Sequence, residues 1–295
     1  AVEELGYQPH PLARSLIRGR TESIGLMVSG LQNPFFVELL EQAVRAVSDS
    51  GYAPILNCGP SVDGTYGHHS KINQWLVDGV IMWCEGSESI ADYLHGPAGR
   101  LPVCYLSSHD REDDHDLLEL DLVEGARSLA RHIIDRGYRR VAYVTPYARS
   151  DSFPHRKRQA GFHEVFDGAE IAFETMHFPT PGPTRFRGYQ AGIAIASMPP
   201  SRRPEVVICH NDITAVGLLS GFRRSGARVP NDIAVTGFDG IDEVRWLARP
   251  LTTVAIPVED MCVRAVKMLI ERIEGFEGPR RHEMIVPQLR IGGTT

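Results

Sequence analysis

The chain has 295 residues, 42% of them hydrophobic and 23% charged, with a formal net charge of -6. This composition is ordinary for a soluble globular fold, the length suits two domains better than one, and the acidic balance excludes a surface that is basic throughout. Five cysteines (Cys58, Cys84, Cys104, Cys209, Cys262) lack C-x-x-C or zinc-ligand spacing, so reduced buried thiols are expected, with no metal site and no cofactor. No apolar run approaches the ~20 residues of a membrane span and no signal-peptide core follows the first charges, so the expected location is cytoplasmic, with no membrane partner.

Residues 1–21 differ in kind from the rest: a helix end stopped by Gly6, a stiff Pro9 to Pro11 link, then two helical turns with Arg14, Arg18 and Arg20. From Ser23 the pattern becomes regular. SIGLMV (23–28) reads as a strand, Phe35 to Ser50 as an amphipathic helix, YAPILN (52–57) as a strand followed by a helix to about Val77, and GVIMWC (79–84) as a strand before a short helix near Ile90 to Leu94. LPVCYL (101–106) is the next strand, and the acidic loop His109 to Asp116 after it is a place for the chain to leave one lobe for another. Leu122 to Arg136 reads as a helix, then RVAYVT (140–145), a helix from about His155 to Phe166, EIAFETM (170–176), a helix from about Arg185 to Ser197, VVICH (206–210) and a helix from Asp212 to Ser225. Ile233 to Phe238 and Leu251 to Pro257 are strands around a short amphipathic segment, Val258 to Gly275 is a helix, and HEMIVPQLRI (282–291) supplies terminal strands broken by Pro287. Such alternation implies parallel strands with crossover helices, and so many strands imply two α/β lobes.

In open α/β sheets ligands bind beyond the carboxyl ends of the strands, and several residues hold that position. Asn33 and Phe36 follow the first strand; Asn33 reads equally as a helix cap or a ligand group, while Phe36 offers an aromatic face. Arg158 lies near the start of the helix after RVAYVT and can clamp hydroxyls or a carboxylate with two prongs. Of Asn211 and Asp212, beyond VVICH, the aspartate reads as the cap of the next helix and Asn211 as the ligand group. Asp239 ends the Ile233 to Phe238 strand, and Trp246 beyond it adds a stacking face, equipment suited to a sugar or nucleoside. No nucleophile elbow, Walker loop, H-E-x-x-H or strand-linked G-x-G-x-x-G occurs, which favours binding over catalysis.

Ten stretches in order resemble the LacI/GalR family of bacterial transcription regulators: ELGYQPHPLARSLIRGRTESIGLMV (4–28), NPFF (33–36), GYAPILNC (51–58), DGVIMW (78–83), the D-x-x-x-G-A of Asp121 to Ala126, HIIDRGYRRVAYVT (132–145), RKRQAGF (156–162), CHNDITAVGLL (209–219), GARVPNDIAVTGFDGID (226–242) and LARPLTTVAIP (247–257). The resemblance implies two Rossmann-like lobes with parallel sheets joined by three crossovers, a periplasmic-binding-protein-like architecture. The first lobe would hold residues 22–121 and 256–278, the second 122–255 and 279–295. It implies effector contacts at Phe36, Arg158, Asn211 and Asp239, and by neighbourhood at Trp246. It also implies one at Ser107, where the family often has an acid, and Gly292 stands where many members carry arginine.

Residues 1–21 are similar to the end of the family's DNA-binding headpiece and its hinge helix, with Arg14, Ser15 and Leu16 as DNA-binding residues and Leu16 as the minor-groove wedge. The helix-turn-helix would precede Ala1, so operator DNA would be a partner only with that headpiece. The expected function is the effector-binding and homodimerisation region of a transcriptional regulator, with a sugar or sugar derivative as effector and a purine as the alternative. A solute-binding protein serving a transporter is the alternative of a different class. An enzyme acting on a sugar or nucleoside ranks last, because no acid-base pair stands out.

Overall fold

In the computed structural model, which describes residues 20–28, 31–58, 61–62, 65–66, 77–83, 101–107, 115–145, 153–178, 182 and 184–295, the first lobe starts with β1 (Ser23–Val28), α1 (Pro34–Asp49) and β2 (Ala53–Cys58). A two-stranded ribbon, β3 (Ser61–Val62) and β4 (Thr65–Tyr66), precedes β5 (Gly79–Trp83), β6 (Val103–Ser107) and β7 (Asp116–Leu120). The chain then builds the second lobe from α2 (Leu122–Asp135), β8 (Arg140–Thr145), α3 (Phe153–Gly168), β9 (Ala172–His177), α4 (Thr184–Ala196), β10 (Val206–Cys209), α5 (Asp212–Arg224), β11 (Ala234–Asp239) and β12 (Thr252–Ala255). It returns through α6 (Val258–Ile273), which packs on β5 and β6, and β13 (His282–Ile285), then ends in the second sheet with β14 (Gln288–Arg290). Each sheet has six strands, in the orders β13-β7-β6-β5-β1-β2 and β14-β12-β11-β10-β8-β9. Within these two sheets only β14 is antiparallel to its neighbour, and the β3–β4 ribbon is antiparallel as well. The two-lobe parallel architecture with three passages is thus the one the sequence implies.

The elements form for local reasons. Asn33 caps α1 by accepting from the Phe35 amide, Pro34 occupies the first turn where no donor is needed, and Phe35, Leu39, Leu40, Ala43, Ala46 and Val47 bury one face. Gly51, at φ 83°, ends it in a conformation that costs other residues more. Strand side chains alternate as a sheet covered on both faces requires: Ile24, Leu26, Ile81, Cys104 and Leu106 enter one apolar cluster, while Met27, Val80, Met82, Val103, Tyr105 and Leu117 enter the other. Cys104, Cys209 and Cys262 are free and buried, and burial pushes their thiols up, that of Cys262 to about 12, which keeps them protonated. No helix among the described residues is long and apolar enough to cross a membrane.

Two boundaries differ from the sequence-based expectation. Asp116 opens β7 instead of closing an acidic loop, so the first passage between lobes comes not in that loop but at Asp121, the bound that the family resemblance implied. A charged residue can start this strand because Arg272 and Arg281 both bind its carboxylate. Residues 282–285 pair with β7 in the first sheet, whereas 279–295 was expected to lie wholly in the second lobe. The last passage therefore falls at Val286 and Pro287, where proline cannot extend the ladder and the chain changes sheets. Gly292, where arginine was the family's usual residue, lies so close to the Pro250 carbonyl that any Cβ would overlap it. The expected helices before Val77 and near Ile90 to Leu94, the start of the acidic loop at His109, and the segment with Arg14, Ser15 and Leu16 lie outside the described residues.

Helices α4 and α5 approach through Gly188 and Gly192 on one side and Gly217 and Gly221 on the other. A methyl group at Gly217 would overlap the backbone carbonyl oxygen of Arg185, which cannot swing away as a side chain can. Glycine to alanine inside a helix gains about 1 kcal/mol of propensity, but overpacking against backbone costs about 3 kcal/mol or more, so the second effect wins. Gly217→Ala is expected to lose about 2 kcal/mol net. Urea denaturation checks this, and a stabilised variant would show that the helices are not in contact as described.

Candidate functional site

The carboxyl ends of the two sheets face each other. The loop after β1 reaches the end of β11, where Asn33 Nδ2 donates to Asp239 Oδ2 at 3.1 Å. Asn33 is thus both helix cap and inter-lobe contact, since its Oδ1 accepts from Phe35 N at 3.2 Å. Asp239 is 5% exposed and sits at φ 111°, a strained conformation for a residue with a side chain. Such strain persists only where the surroundings over-determine it, and is concentrated at binding sites.

The surroundings of Asp239 supply that determination. Arg158, 7% exposed, lies with its guanidinium carbon 4.0 Å from the centre of the Phe238 ring, and its Nη2 stands 3.6 Å from Asp239 Oδ1. Nη1 donates to the carbonyl oxygen of His210, which fixes the plane of the group. Nε is buried and has no hydrogen-bond partner among the described residues. The guanidinium and carboxylate are therefore adjacent without a close hydrogen bond between them, and the Arg158 Nε remains able to bind an additional polar group.

Behind Arg158, His210 Nδ1 pairs with the Tyr143 hydroxyl at 2.8 Å. Burial, with the Arg158 charge and His155 adding to it, pushes the His210 imidazole well below its ordinary range, so it stays neutral at pH 7. The cap that the sequence assigned to Asp212 is made by its neighbour. Asn211 caps α5, its Oδ1 accepting from Thr214 N at 3.0 Å and Thr214 Oγ1 at 2.6 Å. Asp212 is fully buried and caps nothing: it reaches across to β11, accepting from Gly240 N (2.7 Å) and Ile241 N (3.0 Å), and from Thr253 Oγ1 of β12 (2.6 Å). A buried cap and a buried brace look alike in sequence, because both are an acid or amide after a strand. Asn211 retains Nδ2 as a donor, so capping does not remove it from the site.

Across the cleft Phe36 is half-buried, edge-on to Phe35 (5.4 Å between centres) and Trp83 (5.7 Å). Trp83 ends β5 and completes an aromatic trio that its position within an apolar strand concealed. Ser107 ends β6, but its side chain lies outside the described residues. Trp246, which the sequence suggested as a cleft wall, is 76% exposed and donates Nε1 to Asp242 Oδ2 at 2.8 Å. It follows a 3₁₀ turn, Asp242–Arg245, at the rim. Arg158, Asn211 and Asp239 therefore converge on the second lobe and Phe36 stands on the first, while Trp246 lies outside that cluster.

Residues 130–295 match the periplasmic binding protein-like domain. The chain is 30% identical over 281 residues to an HTH-type transcriptional repressor PurR of Edwardsiella ictaluri, covering 92% of this chain and 80% of that protein. The chain belongs to the LacI family. The ribose operon repressor of Escherichia coli K12 is another relative, 29% identical over 281 residues, covering 92% of this chain and 82% of that one. A LacI-type transcription regulator from Bifidobacterium animalis subsp. lactis has the same fold, with a TM-score of 0.80 at 25% identity, covering 92% of this chain and 99% of that one. The present LacI-family protein is accordingly the effector-binding region of a transcriptional regulator, and its relatives are repressors rather than enzymes.

Proposed function

We propose that the effector is a small sugar or sugar derivative held between the lobes by Phe36, Ser107, Arg158, Asn211 and Asp239, with Trp246 at the rim. The observation that carries this reading is the Arg158–Asp239 pair: a buried donor and a buried acceptor, 3.6 Å apart, beside an Nε that has no hydrogen-bond partner among the described residues. Vicinal hydroxyls both donate and accept at short spacing, and such a pair serves both needs. An aromatic face such as Phe36 suits the C–H surface of a sugar ring. The name of the ribose operon repressor is consistent with this chemistry. A purine is the second reading, supported by the trio of Phe35, Phe36 and Trp83.

In this reading the protein acts in the cytoplasm as a homodimer and catalyses nothing. Arg14, Ser15 and Leu16 belong to the hinge that meets operator DNA. A ligand shifts DNA affinity only to the extent that it binds the two dimer states differently.

A thermal-shift screen over pentoses, hexoses, polyols and purine bases tests the effector class. A saturating ligand at 100 times Kd stabilises by about 2.7 kcal/mol, a rise of several degrees for a chain of this size. Asp239→Ala is expected to abolish the response to the sugar that produces it, with affinity falling about 100-fold or more, because Arg158 is left buried and uncompensated. Stabilisation by purines alone, lost in the same variant, replaces the sugar with a purine.

A further inference from the structure

The turn that follows β11 is held from both lobes at once. Its own lobe grips the middle: Asp212 Oδ2 binds Gly240 N and Ile241 N. The opposite lobe grips the two ends. Asn33 reaches the side chain of Asp239, and Glu38, one turn further along α1, accepts a hydrogen bond from the backbone N–H of Asp242 through Oε1 at 2.8 Å. That N–H has no local acceptor, because it opens the 3₁₀ turn after Ile241, which makes no side-chain capping bond. Glu38 has no other hydrogen bond or ion pair among the described residues.

We propose that Glu38 is a lobe-to-lobe latch, a positioning residue outside the ligand-contacting set whose carboxylate sets how much of the ligand-free protein is closed. The inference deepens the proposed function, because it rests on effector binding between the lobes. Opening the cleft separates α1 from the Asp242 N–H and exposes both to water, so the bond exists in one state only and biases the equilibrium. The same bond ties the rim to the site. Asp242 carries the Trp246 indole on Oδ2, and lies three residues beyond Asp239. An effector that moves Asp239 therefore moves the amide that Glu38 holds. The bond lies at the solvent-exposed rim, so its share is modest: a charge-assisted bond to a backbone amide there shifts the open-to-closed ratio roughly threefold to tenfold. Apparent effector affinity follows the closed fraction in the same proportion.

The test uses the full chain without any ligand. Glu38→Ala, Glu38→Gln and the control Glu41→Ala, whose only ion pair among the described residues is to Arg45 on the same helix, are compared by small-angle scattering and by amide exchange read by NMR. Glu38→Ala is expected to enlarge the radius of gyration and to speed exchange at Asp242 roughly threefold to tenfold, with Gly240 and Ile241, which Asp212 holds, keeping their rates. Glu38→Gln keeps an acceptor and is expected to fall between, and Glu41→Ala to match the wild type. Unchanged scattering and an unchanged Asp242 rate in Glu38→Ala overturn the proposal. So does equal acceleration at all three amides with a lowered Tm, which marks a structural defect of the turn. Both readouts are taken without effector, so a screen that finds no sugar leaves them intact.

Discussion

Asp116→Ala is expected to lower the unfolding free energy by about 3 kcal/mol at pH 7, at the low end of the range for breaking a buried ion pair. The side chain is 1% exposed and is gripped by two guanidinium groups. Arg272 donates Nε and Nη2 at 3.0 and 2.8 Å, and Arg281 donates Nε at 3.1 Å, Nη2 at 2.5 Å and its backbone N at 2.9 Å. Both arginines also bind backbone oxygens, Arg272 at Gly278 and Pro279 and Arg281 at Met268, and both lie 4.7 Å from the Phe276 ring. The carboxylate is thus the hub that fixes the segment between α6 and β13. Its loss leaves two cations facing each other, though Glu271 still pairs with Arg281 and the arginine side chains keep 17% and 20% exposure. Those two facts hold the cost near the low end.

The same cluster fixes a pH window. Burial alone would raise the Asp116 carboxyl, but hydrogen bonds from Arg272 and Arg281 outweigh it and hold it down at about 2. A carboxyl depressed in the folded state stabilises fully above its unfolded value near 4, and that stability is lost as pH falls towards 2. Wild type and Asp116→Ala are therefore expected to converge in urea stability between about pH 4 and pH 2, while Asp116→Asn lies between them at pH 7. A gap that stays constant through that window would mean that the charge of Asp116 contributes nothing and only its shape matters.

Elements with a strong period were legible in the chain, and so was the address of the site. β1, β8, β10 and β11 are mostly apolar runs, β11 broken only at Thr236 and Gly237, and their burial on both faces matches that pattern. β7 was hidden because it opens on an aspartate and contains a glutamate, charges whose partners lie more than 150 residues away: Arg272 and Arg281 for Asp116, and His282 for Glu119. No local pattern carries that information. Likewise Arg158, Asn211 and Asp239 were singled out by position, at strand ends, as candidates, whereas Glu38 looks like any solvent-facing acid of an amphipathic helix until the second lobe is in place. Trp83 was masked by the opposite ambiguity, since an aromatic residue in a buried strand is usually core. Sequence reports which face a residue occupies; it does not report what arrives opposite that face from the other lobe.

Asp212 is the residue whose role changed most, and it carries the second large effect. Asp212→Ala is expected to cost about 3 kcal/mol, because it orphans the buried Ile241 N and Thr253 hydroxyl and the part-buried Gly240 N, donors worth about 1–3 kcal/mol each when buried and before water enters the space left behind. It also frees the turn that keeps Asp239 at φ 111°, so effector affinity is expected to fall together with stability. Asp212→Asn is the discriminating variant. Its single oxygen can accept from both amides that now share Oδ2, and its NH2 can donate to a rotated Thr253 hydroxyl, so the geometry survives. The charge does not survive, and here that is a gain. Burial first, and the Asp239 charge second, push the Asp212 carboxyl well above its ordinary range in spite of the three donors. An acid whose folded value is raised stabilises below its unfolded value near 4 and loses that contribution as pH rises. Asp212→Asn is accordingly expected to gain on the wild type in urea stability as pH rises above about 4, and to keep the thermal-shift response to effector that Asp212→Ala loses. If Asn proves as damaging as Ala at every pH, the negative charge itself holds the turn, and the raised carboxyl is not what limits stability at this strand end.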